Sequence, residues 1–318
     1  MDIFEGKTAK PMLFSGEEEP FNSPDYIYEL KLDGERCIAY LDENETILIN
    51  KRNVKMLSKF PELSNIHKQA KKRCILDGEL MVSIDGRPNF DEVKRRSLTS
   101  NKVRIETLSK NYPATFTAFD ILYYDKQITN LPLIERKKIL KKAFDENDFL
   151  AHSRFIEEEG VALYNLTVEQ DLEGIVAKRK DSTYQIGART KDWVKVKNLK
   201  DDDFVVCGYI IEGGNAVASI ILGQYDKKGK MIYKGHITLS LSRDEFKIIK
   251  KEAKSKCPFE TPEPNAVYIK PNLVVTAKFM DWTINGGLRQ PSFKGLRFDK
   301  VPSECIVRVN KKRRNTPP

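Results

Sequence analysis

Apolar and polar positions alternate along much of this chain in short runs. Tyr26-Ile27-Tyr28, Cys37 to Leu41 and Ile47 to Ile49 are β-rich, the last following a polar turn at Asp42 to Glu45. Cys74-Ile75-Leu76, Thr115 to Phe119, Ile175-Val176-Ala177 and Trp193 to Val196 read as further strands. Two stretches switch to helical spacing. Pro61 to Arg73 opens on a proline suited to a first turn. Leu133 to Phe144 places Leu133, Ile134, Ile139, Leu140 and Ala143 on one face and lysines on the other. The first 25 residues, punctuated by Pro11, Pro20 and Pro24 around Glu17-Glu18-Glu19, form an extended lead-in.

The polar stretch Asn198 to Asp203, with three consecutive aspartates, marks a break. Beyond it Phe204 to Cys207, Ala216 to Leu222 and Met231 to Tyr233 are short strands, separated by Gly213-Gly214 and by Asp226 to Gly229. Ser242-Arg243-Asp244-Glu245 is a capping box ahead of Phe246, Ile248, Ile249 and Ala253, which predicts one helix. Strands at Leu273 to Lys278 and Ile306 to Val309 complete a unit of about 110 residues, suited to a small antiparallel oligonucleotide-binding (OB) barrel. The chain shows no internal repeat.

Composition narrows the class. A length of 318 residues suggests two domains, and 40% apolar residues supply a core for each. No apolar run approaches the ~20 residues of a membrane span. The start Met1-Asp2-Ile3-Phe4-Glu5 lacks the basic and apolar regions of a secretory signal. Cys37, Cys74, Cys207, Cys257 and Cys305 are scattered, so neither a disulfide framework nor a zinc ribbon is expected, and the cytoplasm is the expected home. The net charge of +9 is uneven. Residues 1–200 carry 34 basic and 33 acidic groups, whereas residues 201–318 carry 21 and 13, half of that excess in Lys311-Lys312-Arg313-Arg314. The basic second half suits a polyanion such as nucleic acid, or more plainly a solubilising surface with a basic tail.

Lys31-Leu32-Asp33-Gly34 follows a predicted strand directly. A lysine there can serve as a nucleophile if desolvation or neighbouring cations remove its proton. Alone the pattern is weak, because a strand-end turn with a solvated lysine has the same residues. Its company is more telling. Asp77-Gly78-Glu79, the strand from Phe116 to Asp120, Glu173 to Lys178, Lys195-Val196-Lys197 and Arg297-Phe298-Asp299-Lys300 follow in order. Acids at strand ends can hold Mg²⁺ and a ribose, and alternate lysines share one strand face where they can neutralise phosphate oxygens.

These residues, from about Glu29 to Glu304, resemble the ordered motifs of the covalent nucleotidyltransferases, most closely ATP-dependent DNA ligases. Phe60-Pro61-Glu62-Leu63, Leu76 to Leu80 and Ser292 to Arg297 are similar to the ligase portion of bacterial end-joining ligases and their stand-alone relatives. The resemblance implies an α+β architecture. An ATP-grasp-like adenylation domain with antiparallel sheets and flanking helices would occupy residues 1–200, and an OB-fold barrel with a basic tail residues 201–318. It implies Lys31 as the nucleophile that takes AMP. Glu29 would read the adenine amino group, Phe119 stack on the base (with Phe116 close by in sequence) and Glu79 hold the ribose hydroxyls. Arg36 would contact the nucleotide sugar or the nick, and Arg52 and Arg189 would bind nucleotide or phosphate. Glu173 would bind the catalytic metal, and Lys195 and Lys197 the α-phosphate. Arg297 and Lys300 would orient the departing pyrophosphate. Lys51 stands where the family usually has serine.

The implied reaction uses ATP and Mg²⁺ to seal nicked double-stranded DNA through a lysyl-AMP and a DNA-adenylate. The expected protein is a minimal monomeric ligase, with no DNA-binding domain ahead of Lys31, aided by a DNA end-binding or repair partner. A capping-type guanylyltransferase or an RNA ligase shares the lysine chemistry, and a non-catalytic OB binder shares the second unit. Such a binder gives no reason for Lys31, Glu79, Glu173, Lys195 and Lys197 to occur together. His67, His152 and His236 lack metal-ligand spacing and are expected to be structural.

Overall fold

The computed structural model describes residues 2–212, 216–238, 242–283 and 285–307. The chain divides into two compact units, Met1–Asn198 and Leu199–Pro318. In the first, β1 (Leu13–Glu17), β2 (Ser23–Leu30), β3 (Glu35–Leu41) and β4 (Thr46–Asn50) precede a 3₁₀ helix over Pro61–Gln69. Then come β5 (Cys74–Ile84), β6 (Arg87–Pro88), α1 (Phe90–Leu98), α2 (Lys102–Asn111) and β7 (Ala114–Tyr124). The unit closes with α3 (Leu133–Ala143), β8 (Leu150–His152), β9 (Phe155–Glu158), α4 (Gly160–Glu169), β10 (Gly174–Arg179) and β11 (Arg189–Lys197). The strands form two sheets, ordered β1-β11-β10-β2-β9 and β4-β3-β5-β7-β8, with β6 beside β5. Parallel pairing occurs between β1 and β11 and between β7 and β8.

Strand alternation explains how the two sheets are used. In the first sheet, Tyr28, Ile175, Ala177, Val194 and Val196 form a core with Leu163 and Tyr164 of α4. Ile27 and Trp193, on the opposite face, join Ile38, Tyr40, Ile75 and Phe119 of the second sheet in a core between the sheets. The outer face of the second sheet packs Cys37, Ala39, Leu76, Leu80 and Phe116 against the 3₁₀ helix, α1 and α3 through Leu63, Val93 and Leu140.

Three details depart from the sequence expectations. The segment after Pro61 is 3₁₀ and stops at Gln69, because Ala70 turns extended and bridges to Phe144. Helices α1 and α2 were not anticipated, although both carry side-chain caps: Asn89 accepts from the Glu92 N–H and Asn101 from the Arg104 N–H. The polar stretch Asn198 to Asp203, read as a break, contains the division between the two units, but only Asn198 and Leu199 of it lie outside strands. Lys200 begins a continuous strand, so the three aspartates lie in sheet.

That strand is β12 (Lys200–Glu212), followed by β13 (Ala216–Tyr225), β14 (Met231–Ile237) and α5 (Arg243–Lys251). Next come β15 (Ala266–Tyr268), β16 (Val274–Phe279), β17 (Asp281–Trp282), β18 (Leu288–Arg289) and β19 (Ser292–Arg297). The main sheet runs β14-β13-β12-β16-β19, with β15 also on β12. Its register shifts between Val206 and Gly208, where β12 passes from β16 to β15. Alternate residues of β12 face two cores, Phe204 and Val206 on one side and Val205 and Cys207 on the other. The capping box at Ser242 and Glu245 is formed, and α5 buries Phe246 and Ile249. The unit is the expected antiparallel sheet with one helix, but no pairing of β14 with β19 closes it into a barrel among the described residues. Ile306 makes a single bridge to Tyr225. Val309, Gly213-Gly214 and the tail Lys311 to Arg314 lie outside the described residues.

Candidate active site

The chain leaves β2 at Leu30, and the Lys31 N–H donates to the Gly174 carbonyl at 2.8 Å. Gly34 lets the following turn pass close over β5. A Cβ there would lie 2.1 Å from the Leu80 carbonyl oxygen. The glycine in Lys31-Leu32-Asp33-Gly34 is thus a packing requirement. The Lys31 ammonium sits 2.6 Å from Glu173 Oε1. Glu173 is placed by Gly174, whose φ of +126° a side chain would rarely adopt, and where a Cβ would lie 2.2 Å from the Val196 carbonyl oxygen.

Register assembles the rest of this face. Glu17 pairs with Lys195, Lys195 with Val176 and Val176 with Glu29, a single row across four strands. Lys195 and Lys197 both point at Glu17 Oε2, at 3.4 and 3.2 Å. Glu29 is buried. Its Oε1 pairs with Lys137 and, at 3.1 Å, with Lys178, and its Oε2 accepts from Ser153 Oγ at 2.7 Å. Burial alone would raise the Glu29 carboxyl, but the two ammonium groups and these hydrogen bonds outweigh it and hold the group below the usual range. Burial pushes Lys178 down to about 8 despite Glu29. Its ammonium lies 4.4 Å from the Phe119 ring centre and 4.3 Å from that of Trp193.

The second sheet supplies Arg36, Asp77 and Glu79. Arg36 grips Asp77 with two bonds, of 3.0 and 2.6 Å, and Tyr184 donates to the same carboxylate at 2.5 Å. The guanidinium therefore has a carboxylate partner within the protein, and it lies 5.1 Å from the Phe119 ring. Burial pushes Glu79 up to about 8, against the pull of Arg36 and Lys31. Phe119 and Phe116 part company at a bulge. Ala118 pairs with Gly78 and Asp120 with Asp77, so Phe119 is the extra residue and joins the core between the sheets. Phe116 faces the outer core, where Gly78 leaves room for its ring.

One expected residue of the first unit stands elsewhere. Arg189 lies six residues before Lys195 on β11, roughly 20 Å away along the strand, and its guanidinium donates to the Phe14 carbonyl. Arg52 is exposed on a turn after β4, where it lines one cleft with Gly34, Arg36 and Glu79. In the second unit, Arg297 and Lys300 gather on Asp203, a member of the polar stretch that enters β12. Arg297 is 3.5 Å from it and grips Asp299 with bonds of 2.8 and 2.6 Å. Burial opposes ionisation of Asp203, but Lys300, Thr276 and Arg297 hold its carboxyl below the usual range.

Sequence reasoning passed over Glu17, Lys137, Ser153, Tyr184 and Asp203 as parts of these clusters, and it named Asp77 and Lys178 within their motifs without giving either a role. For Lys178 and Asp77 a signal existed. Each lies two residues from a site-facing position on its strand, Val176 and Glu79, and so shares its face.

Residues 11–197 match the family model described as ATP dependent DNA ligase domain, and residues 213–300 match the ATP dependent DNA ligase C terminal region. The chain belongs to the ATP-dependent DNA ligase family. Within it, the chain is 31% identical over 291 residues to the SPbeta prophage-derived DNA ligase-like protein LigB of Bacillus subtilis, covering 91% of this chain and 99% of that protein. It is 29% identical over 320 residues to the multifunctional non-homologous end joining protein LigD of Mycobacterium bovis. That match covers 96% of this chain but spans only 40% of the relative's length. A solved structure of mycobacterial DNA ligase D complexed with ATP and MES superposes with a TM-score of 0.56 at 27% identity, covering 94% of this chain and 98% of the other. No described helix of this ligase-family chain is long and apolar enough to cross a membrane.

Proposed function

We propose that this ligase-family chain seals 5′-phosphate/3′-hydroxyl nicks in duplex DNA with ATP, in DNA repair. The observation that carries the reading is the Lys31–Glu173 pair at 2.6 Å, on a face that also presents Lys195 and Lys197. In the first step Lys31 Nζ attacks the α-phosphorus of ATP. A P–N bond forms, the bond to pyrophosphate breaks, and the amine gives up a proton to a carboxylate or water beside it. An oxygen of the DNA 5′-phosphate then attacks the same phosphorus, and the P–N bond breaks as Lys31 regains its proton. The 3′-hydroxyl finally attacks the 5′-phosphate, loses its proton and displaces AMP.

Charge develops on one set of phosphate oxygens in the first two steps, so one pair of lysines serves both. Glu17 holds Lys195 and Lys197 together until phosphate competes for them. The Glu29 carboxylate faces the same side as Val176 and is suited to a purine's amino group, while Val176 and Phe119 are buried in this structure. No group of three or more metal-ligating side chains occurs among the described residues. A single carboxylate, Glu173, completed by substrate phosphates, is the kind of donor set that Mg²⁺ accepts. When bound, the ion would supply Lewis-acid stabilisation of phosphate charge.

The test is sealing of a nicked duplex with ATP, with GTP and with no nucleotide. Sealing with ATP alone supports the reading. Sealing that prefers GTP, or that needs an RNA strand, would favour a capping or RNA-joining relative.

A further inference from the structure

Glu173 stands at the end of the turn that joins α4 to β10. Gln170 and Asp171 of that turn are exposed, and Asp171 is left-handed (φ 57°). The turn is held from the far end of β11 by Asn198, the last residue of the first unit. The Asn198 N–H donates to the Glu173 carbonyl at 2.9 Å. Its Nδ2 donates to the Leu172 carbonyl at 3.1 Å and to the Thr167 carbonyl at 3.4 Å. Thr167 is buried in α4, and its carbonyl also accepts from the Leu172 N–H at 2.8 Å.

The Leu172 and Glu173 carbonyls belong to the two peptide groups that flank the Glu173 Cα. Each peptide group is planar, so holding both fixes the backbone angles of Glu173 and the direction in which its side chain leaves. The next carbonyl, that of Gly174, is held by the Lys31 N–H. At Gly174 a Cβ would lie 2.9 Å from the Asn198 nitrogen and 2.9 Å from the Lys197 Cα, so the turn packs directly on the end of β11. The N–H bond is open to any residue but proline, whereas the two further bonds need a side-chain donor.

We propose that Asn198 is a positioning residue for Glu173. Its amide aims the carboxylate at Lys31 and fixes it relative to Lys197, the neighbour of Asn198 in the chain. This rests on the ligase reading above, in which Lys31 takes AMP beside Glu173. The test is a cycle in the full chain of Asn198→Ala, Glu173→Ala and the double variant, read as single-turnover rates of enzyme–AMP formation. A residue that acts through the Glu173 carboxylate has nothing to position once that carboxylate is gone. Asn198→Ala should therefore slow the parent by roughly ten-fold and Glu173→Ala by less than about two-fold further. Equal factors in both backgrounds overturn the proposal.

Amide exchange supplies a second reading that needs no turnover. In Asn198→Ala the Lys31 N–H should exchange roughly ten-fold faster, because its acceptor lies on the loosened turn, while the amides of β3 keep the parent's rate. Unchanged exchange at Lys31 overturns the proposal as well. Asn198→Ser, smaller but still a donor, carries both readings if Asn198→Ala fails to fold. A parent protein that forms no enzyme–AMP would overturn the ligase reading instead, and exchange at Lys31 would still decide whether Asn198 holds the turn.

Discussion

A glutamate's charge is set by what it touches, and three glutamates near Lys31 show the range. Glu29, buried against two lysines, stays ionised, whereas desolvation pushes the half-buried Glu79 up to about 8 against the pull of Arg36 and Lys31. Glu173 faces Lys31 directly. The raised Glu79 means that the folded chain binds its proton more tightly than the unfolded chain does. Its stabilising contribution is therefore complete below about 4.5 and lost as the pH rises through about 8. Thermal melts of parent and Glu79→Gln between those limits should show the variant gaining on the parent as the pH rises. A constant difference would mean that Glu79 is ionised throughout. Lys31 and Glu173 were legible as chemistry because they sit in short motifs at the ends of β2 and β10, whereas Glu79, read as a strand-end acid, lies in the middle of β5. The Ser153 and Lys137 partners of Glu29 were not legible. Ser153 stands 124 residues from Glu29, a contact made only by folding.

Elements were most legible where the apolar period was clean, as in β3, β7, α3 and the capped α5. They were least legible where tertiary partners decide. The aspartates of β12 were read as part of a break because propensity disfavours them in sheet. They are strand because Thr276 and Lys300 satisfy Asp203, and Gln224 bonds Asp202. Helix α3 is latched to β7 by a fully buried pair, Arg136 to Asp120, with bonds of 2.8 and 2.9 Å. Arg136 also donates to the Leu131 and Ser182 carbonyls, at 2.5 and 2.9 Å. Removing Asp120 leaves a buried guanidinium without its carboxylate. Asp120→Ala should therefore cost about 3–5 kcal/mol in urea unfolding of the first unit. A loss below about 1 kcal/mol would show that the carbonyls alone satisfy Arg136.

For the whole molecule, the division into two units separates two groups of proposed site residues. Lys31, Glu173, Lys195 and Lys197 belong to the first, Arg297 and Lys300 to the second. If the second group serves only pyrophosphate departure, Arg297→Ala and Lys300→Ala should slow enzyme–AMP formation by more than they slow sealing of DNA already carrying the 5′-AMP. Single-turnover rates for the two reactions decide it, and equal losses would assign these residues to the fold or to DNA. The central claim is that Lys31 carries the nucleotide to DNA. Its most direct test is incubation with α-labelled ATP and Mg²⁺, isolation of the protein, and a chase with nicked duplex. The account predicts label bound covalently to the peptide containing Lys31, released as AMP as the nick closes, and absent from both Lys31→Ala and Lys31→Arg, whose guanidinium keeps its proton. Label of normal intensity in either variant, or a nick that closes while the label stays on the protein, would contradict it.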